Sequence, residues 1–372
     1  MGRPPTGALG TFNTGLGDKI KQLRKENEGW GALTILLELE EEFFHPRESL
    51  PSASSVNRCL KQGSFVKPLQ PAGKFPARPC WRPKEVHELW EMDAQGAAEV
   101  GGIGHQATIS MKDGLSKKHC MAFPVAVGNH SSQPATSHYK WAFRLAFAGS
   151  GKPQCVQVDK DSVFIENNSR SPFPSRLHLW LAALGVELCF IEKPPPAQQA
   201  TVERSHQTME RQAARGKSFA NWQEFFQHCQ KRRQRMNEKF PSRSHGGMAP
   251  LQAFPQAAHS GRHYRVEQEH ELLDVQRVFT MLSTGKWFRV VSSGKMVSLG
   301  AQRYYLKEAV PKSQLQITFC AQSNLLIFRN DKELVLDQLP LKGASIEELM
   351  ESDPTSLVSM YKKLSTSLDF PL

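Results

Sequence analysis

The sequence has little of what a membrane or secreted protein needs. Its most apolar stretch, around Trp30 to Phe44, is interrupted by acids and falls short of the roughly 20 residues that a span requires. Its opening, Met-Gly-Arg-Pro-Pro, lacks the apolar core of a secretory signal. Seven cysteines (59, 80, 120, 155, 189, 229, 320) are scattered, and none forms Cys-x-x-Cys. That pattern excludes a zinc module built on paired Cys/His ligands. It predicts reduced thiols in a cytoplasmic protein rather than a disulfide framework. Acids are in deficit, 36 against 47 Lys and Arg, giving a net charge of +11 and a pI near 9.3. Such an excess predicts an anionic partner, nucleic acid before membrane surface.

What is present is enough for two or three domains: 372 residues, 39% of them apolar. Residues 1–17, rich in Gly, Pro and Thr, read as a disordered leader. From Asp18, apolar residues at three- and four-residue spacings (Ile20, Leu23, then Leu33, Leu36, Leu37) predict two helices. The turn between them is Asn27-Glu28-Gly29-Trp30-Gly31, and the second helix stops before His45-Pro46. A third, short helix starts at Ser52 to Ser55, residues suited to capping. It carries Ser55, Asn57, Arg58 and Lys61, short polar and basic side chains that suit a DNA major groove. A plain helical bundle fits the same spacing, but residues 1–84 hold 13 basic and 8 acidic side chains, which favours DNA. Residues 66–83, with five prolines, read as an extended linker.

A mixed α/β segment follows. "HELWEMDA" reads as a short strand ending at Asp93. "HQATISMKD" and "KKHCMAFPVAV" continue a meander through a turn at Asp113-Gly114. Then come a helix near 136–148, a buried strand "QCVQVDKD" ending at Asp159, a helix near 175–184 and the strand "GVELCFIE". After the prolines at 194–196, a long basic helix opens with Glu203, Arg204 and His206. A glutamate at a helix start is tolerated for dipole reasons alone. Acids at the ends of apolar strands are costly unless they bind something positive. Asp93, Asp159 and Glu203, 66 and 44 residues apart, together suit two magnesium ions held by hard oxygen donors.

In that order and setting, "WEMDAQG", "VQVDKDSVF", "LGVELCFIEKPPPAQQATVERSHQTMER" and "MNEKFPSRSHGGMAPLQAF" resemble the integrase core of bacterial insertion-sequence transposases. These belong to the retroviral-integrase superfamily, with an RNase H-like fold and an Asp-Asp-Glu triad. The resemblance covers about 84–255. "ENEGWGALTILLEL" with "LPSASSVNRCL" resembles the N-terminal helix-turn-helix of such enzymes. "GKMVSLGAQRYYLKEAV" with "LQITFCAQSNLLIFRNDKELV" resembles their small Mu-type β-barrel.

The resemblance implies a multidomain chain. Its parts are a helix-turn-helix at 18–65, an α/β RNase H-like core at 84–255, a small all-β barrel at 262–344 and a tail at 345–372. The core would be a mixed five-stranded sheet with helices on both faces. Asp93, Asp159 and Glu203 would be the catalytic and metal-binding carboxylates, loaded with two Mg²⁺ for which Mn²⁺ can substitute. Arg204, Arg211, Arg232 and Arg233, among ten basic residues from Arg204 to Arg243, would line DNA along the helix that Glu203 starts.

The implied partners are double-stranded DNA (terminal inverted repeats and target) and further copies of the chain, with no membrane and a cytoplasmic, nucleoid-associated location. The implied activity is cutting of element ends and joining of 3′-OH ends to target DNA. One departure opens an alternative, a catalytically decayed transposase acting as a DNA-binding regulator. Lys160-Asp161 follow Asp159 where the family usually has Asn-Gly, and the interval to the third acid is long. Residues 262–340 read as short strands in which Lys286, Arg289, Lys295, Arg303 and Lys307 could grip phosphates.

Overall fold

A computed structural model of the chain describes residues 8–9, 12, 14–41, 43, 45–66, 82–128, 133–166, 171–191 and 206–365. Most of the expected linker, and Glu203 with Arg204, lie outside them.

Three helices open the chain: α1 (Thr14–Glu26), α2 (Ala32–Glu41) and α3 (Ala53–Gln62). They close on a cluster of their own, with Ile20, Leu23, Trp30, Ile35, Leu36, Leu39, Val56 and Leu60. Helix α1 begins four residues before the expected boundary because Leu16 joins this cluster, and Leu9 and Phe12 of the supposed leader pack against it. Ser52 caps α3 by accepting from the Ser55 N–H at 3.2 Å.

The central sheet has the order β3-β2-β1-β4-β5. Its strands are β1 (Leu89–Val100), β2 (Gly104–Asp113), β3 (His119–Ala126), β4 (Cys155–Val158) and β5 (Glu187–Phe190). β1, β2 and β3 pair antiparallel, whereas β4 runs parallel to β1 and to β5. That mixed five-stranded sheet is the one expected of an integrase-like core. Apolar residues alternate along β1, so Trp90 and Met92 meet Phe143 and Phe147 of α4 (Thr136–Ser150). Helix α5 (Arg176–Ala183) joins the same cluster through Leu177, Trp180 and Leu181. A second cluster joins Val100 and Ala122 of the sheet to a helix at 206–214 (α6) and to α7 (Trp222–Glu238) through Met209, Ala213, Phe225, Cys229 and Met236.

The expected single basic helix is thus two helices. Glu210–Ala214 is a π-helical turn, the chain turns at Gly216 with φ +72°, and Ser218 bridges to Gly101 before α7 begins. β1 is also longer than expected, running past Asp93 through a bulge between Gln95 and Ala98. Asp93 therefore lies within β1, at the point where its pairing with the shorter β4 ends. Cys155 and Cys189, on adjacent parallel strands, form a disulfide at 2.11 Å, which corrects the expectation of reduced thiols for this pair.

The C-terminal region is not all β. After a short helix α8 (Pro250–Ala253) it contains α9 (Glu269–Leu272) and α10 (Val275–Ser283). The strands β6 (Lys286–Val290), β9 (Gln314–Cys320), β10 (Leu325–Arg329) and β11 (Val335–Pro340) form one antiparallel sheet in the order β11-β10-β9-β6. β7 (Met296–Leu299) and β8 (Gln302–Tyr305) form a separate ribbon. Helices α11 (Ile346–Met350) and α12 (Pro354–Ser365) make up the described tail.

None of this stands apart from the central sheet. Leu315, Ile317, Leu326, Phe328, Leu349 and Tyr361 belong to the same apolar cluster as Trp90 and Phe143. Polar contacts tie the C-terminal region down as well: Glu269, fully buried, takes both Arg144 Nε and Nη2 at 2.8 Å and the Trp180 indole N–H at 3.0 Å. Buried Lys140 pairs with Glu351 at 3.1 Å. No described helix is long and apolar enough to cross a membrane.

Candidate active site

Two of the three expected carboxylates lie at the same end of the central sheet, Asp93 within β1 and Asp159 one residue past β4. β1 and β4 pair in register from Leu89↔Cys155 to Glu91↔Gln157, and two further residues bring Asp93 level with Asp159. Adjacent strands lie roughly 4.8 Å apart, so this register directs Asp93 and Asp159 to the same end of the sheet, where β4 ends. The Asp93 carboxylate accepts from its neighbour's Ala94 N–H at 2.9 Å. Burial, with Asp161 nearby, raises the pKa of the Asp159 carboxyl.

Tyr139, one turn into α4, marks the convergence from the other side. Burial pushes its hydroxyl well above the usual tyrosine range, and Asp161, Asp159 and Asp93 push it further. The three acids therefore lie near enough to Tyr139 for their charge to act on its hydroxyl. Sequence reading passed over Tyr139, whose position on an apolar helix face gave no signal.

Asp161 has another duty. Its Oδ1 accepts from the Val163 N–H at 2.9 Å and the Ser162 hydroxyl at 3.2 Å, and its carbonyl accepts from Phe164 and Ile165. It starts the turn that leads away from β4, so the strand does not continue through it. That loop is held at its far end by Glu166, which pairs with Arg289 at 2.6 Å. Arg289, expected on a phosphate-gripping surface, is half-buried and engaged in this contact instead.

The first residue described after Glu203 and Arg204 is His206, buried with its Nδ1 3.7 Å from Asp93 Oδ2. Its ring also hydrogen-bonds the Asp93 backbone, and burial pulls its pKa down to about 4. Its Nε2 is buried with no hydrogen-bond partner among the described residues.

As a metal site, the donor chemistry fits in part. Asp93 and Asp159 supply hard carboxylate oxygens of the kind magnesium takes, and the burial and Asp161 charge that raise the Asp159 pKa are effects a cation would relieve. Among the described residues no group of three His, Cys, Asp or Glu side chains is close enough to hold an ion.

The expected DNA contacts divide. Asn57, Arg58 and Lys61 are exposed on α3, and Ser55 is half-buried beside its cap. Arg211 is exposed. Arg232 and Arg233 are not available to DNA: they are only 4% and 8% exposed. Arg232 pairs with Glu38 of α2 at 2.5 Å and lies over the Trp30 ring at 4.7 Å. Arg233 donates to Gln230 Oε1 at 2.8 Å and to the His119 carbonyl at 3.0 Å. Arg235 adds a second contact to Glu38 at 3.0 Å. The basic face of α7 is thus the seat of the three-helix unit. Gly29 shows how close that seat is, because a Cβ there would lie 2.1 Å from the Arg211 carbonyl oxygen.

No family model matches the chain. Among solved structures it is similar to the HTLV-2 integrase catalytic core domain in complex with magnesium. In its trimeric form the identity is 12% and the TM-score 0.34, over 46% of this chain and 99% of that one. In the dimeric form the figures are 11% and 0.33, with the same coverage. It is also similar to the simian T-cell lymphotropic virus intasome in complex with PP2A regulatory subunit B56 gamma, at 10% identity and a TM-score of 0.36, over 87% of this chain and 96% of that one.

Proposed function

We propose that this protein is a DNA transposase or integrase that cuts element ends and joins their 3′-OH ends to target DNA by metal-dependent phosphoryl transfer. The observation that carries the reading is that Asp93 in β1 and Asp159, one residue past the end of the parallel strand β4, lie at one end of a mixed five-stranded sheet, both close enough to act on the charge of Tyr139. Asp93 and Asp159, with Glu203, would hold two Mg²⁺. Bound there, the ions would activate the attacking oxygen and stabilise the leaving one. The protein's own part is to keep the acids dry on one side and open to a phosphate on the other. Exposed Asn57, Arg58, Lys61 and Arg211, with the excess positive charge, support duplex DNA as the partner. Cutting two ends and joining them calls for more than one active site, hence an oligomer on DNA. A cytoplasmic, nucleoid-associated location belongs to the same proposal.

The test uses full-length protein, Mg²⁺ and the DNA flanking its gene. Wild type is expected to nick end-containing duplex and join it to plasmid. Asp93→Asn, Asp159→Asn and Glu203→Gln should abolish both steps while leaving end binding within a few-fold.

One observation favours a second reading, a decayed transposase that only binds DNA. Asp161 is committed to a turn and Lys160 stands beside Asp159, so the exit from β4 differs from the family's Asn-Gly. Tight, sequence-selective end binding with no cleavage in Mg²⁺ or Mn²⁺ would support it and overturn the first.

A further inference from the structure

We propose that the Cys155–Cys189 disulfide is a reversible exchange site for a small thiol bearing both an amine and a carboxylate, entered through a cleft on the outer face of β4 and β5. Val156 and Val158 belong to the main apolar cluster, and Leu188 and Phe190 pack against it. Side chains alternate along a strand, so Cys155 and Gln157 of β4, with Glu187 and Cys189 of β5, lie on the opposite face. Both cysteines line a cleft of about 400 Å³ there, together with Glu88, Gln154, Glu187 and Arg262. Its walls carry charge of both signs, which matches a thiol that does the same. Arg262 donates to the Pro153 and Gly185 carbonyls and keeps further N–H donors for a carboxylate.

The two sulfurs are not equivalent. Cys155 is buried, whereas Cys189 is half-buried on β5, the short edge strand of the sheet. A thiolate entering the cleft therefore meets the Cys189 sulfur first. It bonds to that sulfur as the Cys155–Cys189 bond breaks, and Cys155 leaves as a thiolate that takes a proton from water. A second thiolate displaces the first from Cys189, so two small thiols become one small disulfide and the protein pair is reduced. The small disulfide, as oxidant, reverses the sequence. Of the described free cysteines, Cys59, Cys120 and Cys229 are buried, and burial pushes the Cys120 thiol up to about 12. Cys189 pairs with Gln157 rather than with Cys155, so the bond crosses the ladder diagonally and ties down a strand that is paired on one side only. Opening it should loosen β5 and leave β1, β2 and β3 in place. The exchange needs nothing from the carboxylates.

The test equilibrates the full chain, undenatured, with mixtures of reduced and oxidised glutathione, quenches with acid, and locates each thiol state by alkylation and mass spectrometry. The Cys155–Cys189 pair should open and close with the ratio of the two forms, and the transient glutathione adduct should sit on Cys189. Amide protection should be lost from β5 in the reduced chain and kept in β1, β2 and β3. Oxidised glutathione should cap Cys189 in Cys155→Ser many-fold faster than it caps Cys155 in Cys189→Ser. Mercaptoethanol, which carries neither charge, should open the wild-type pair several-fold more slowly than glutathione at equal thiolate concentration. A bond that survives excess reduced glutathione until denaturant is added would overturn the inference, as would a pair that oxidised glutathione never closes. Equal capping of Cys155 and Cys189 would overturn the cleft as the route of entry, and equal rates with the two thiols would overturn the thiol class.

Discussion

Glu38→Ala should release the three-helix unit from α7. Glu38 is 1% exposed and its two oxygens meet two separate guanidinium groups, Arg232 at 2.5 Å and Arg235 at 3.0 Å. Arg232 is 4% exposed, so the substitution leaves a buried cation without its counter-charge. Breaking one side of such a pair costs about 3–5 kcal/mol, against about 0.2–1 kcal/mol for an exposed pair. At about 1.4 kcal/mol per tenfold, that moves the docking equilibrium by roughly two to three and a half orders of magnitude. Smaller contacts remain, Lys217 to Asn27 at 2.6 Å and Gln212 to Thr34 at 3.0 Å, so the unit should become loosely held rather than lost. Amide hydrogen exchange reads this directly. Amides on the facing surfaces of α2 and α7 should lose protection, whereas those of β1 and β4 should not. Replacing all three charges together (Glu38→Leu, Arg232→Met, Arg235→Met) should recover much of the loss, because no buried charge is then unpaired. A destabilisation below about 1 kcal/mol would refute the argument that these charges are buried against one another.

Further outcomes follow from the same contacts. Asp159→Asn should abolish cleavage yet melt above wild type at pH 7 in the absence of metal. A carboxyl whose folded pKa is raised destabilises the fold once ionised, so the gain should vanish below the ordinary value of 3.8, where both states are protonated. Asp161→Asn should reduce activity only in part, since asparagine can still accept from Val163 and Ser162, and Lys160→Asn should preserve or raise it. Glu269→Leu should lower stability by about 3–5 kcal/mol in denaturant titrations, because Arg144 is then buried unpaired. Stability should fall as pH drops from 6.5 toward 4. Burial holds His87 and His178 at about 4, so the unfolded chain takes up protons that the folded one refuses. Each such histidine adds a slope of about 1.4 kcal/mol per pH unit across that window, read from urea midpoints.

Much of the fold was legible because it is local. Alternation wrote the meander of β1, β2 and β3, Asp113-Gly114 marked its turn, and Ser52 announced α3. The two aspartates were legible as acids beside apolar runs. What escaped depends on partners far away in sequence. The burial of Arg232 is decided by Glu38, 194 residues distant, and a run of arginines reads the same whether it faces DNA or a carboxylate. The pairing of Cys155 with Cys189 needs the register of two parallel strands, which no spacing rule supplies. Two misreadings had signals that were there to use. Gly216 punctuates the supposed long helix, and Val275, Val278, Phe279 and Leu282 recur at helical intervals where strands were expected.

The shared apolar cluster also bears on synthesis. The three-helix unit has every residue of its cluster once Phe65 has left the ribosome. The sheet that carries Asp93 and Asp159 does not, because Leu315, Phe328, Leu349, Leu357 and Tyr361 complete its core. Translation therefore finishes the first unit early and keeps the carboxylate strands waiting for almost the last helix. A message cut short, or a protease-trimmed product, yields a folded three-helix unit tethered to a sheet with a bare apolar face. Such fragments should be cleared or aggregate, and a complete core around the carboxylate strands should be confined to chains that have reached Tyr361.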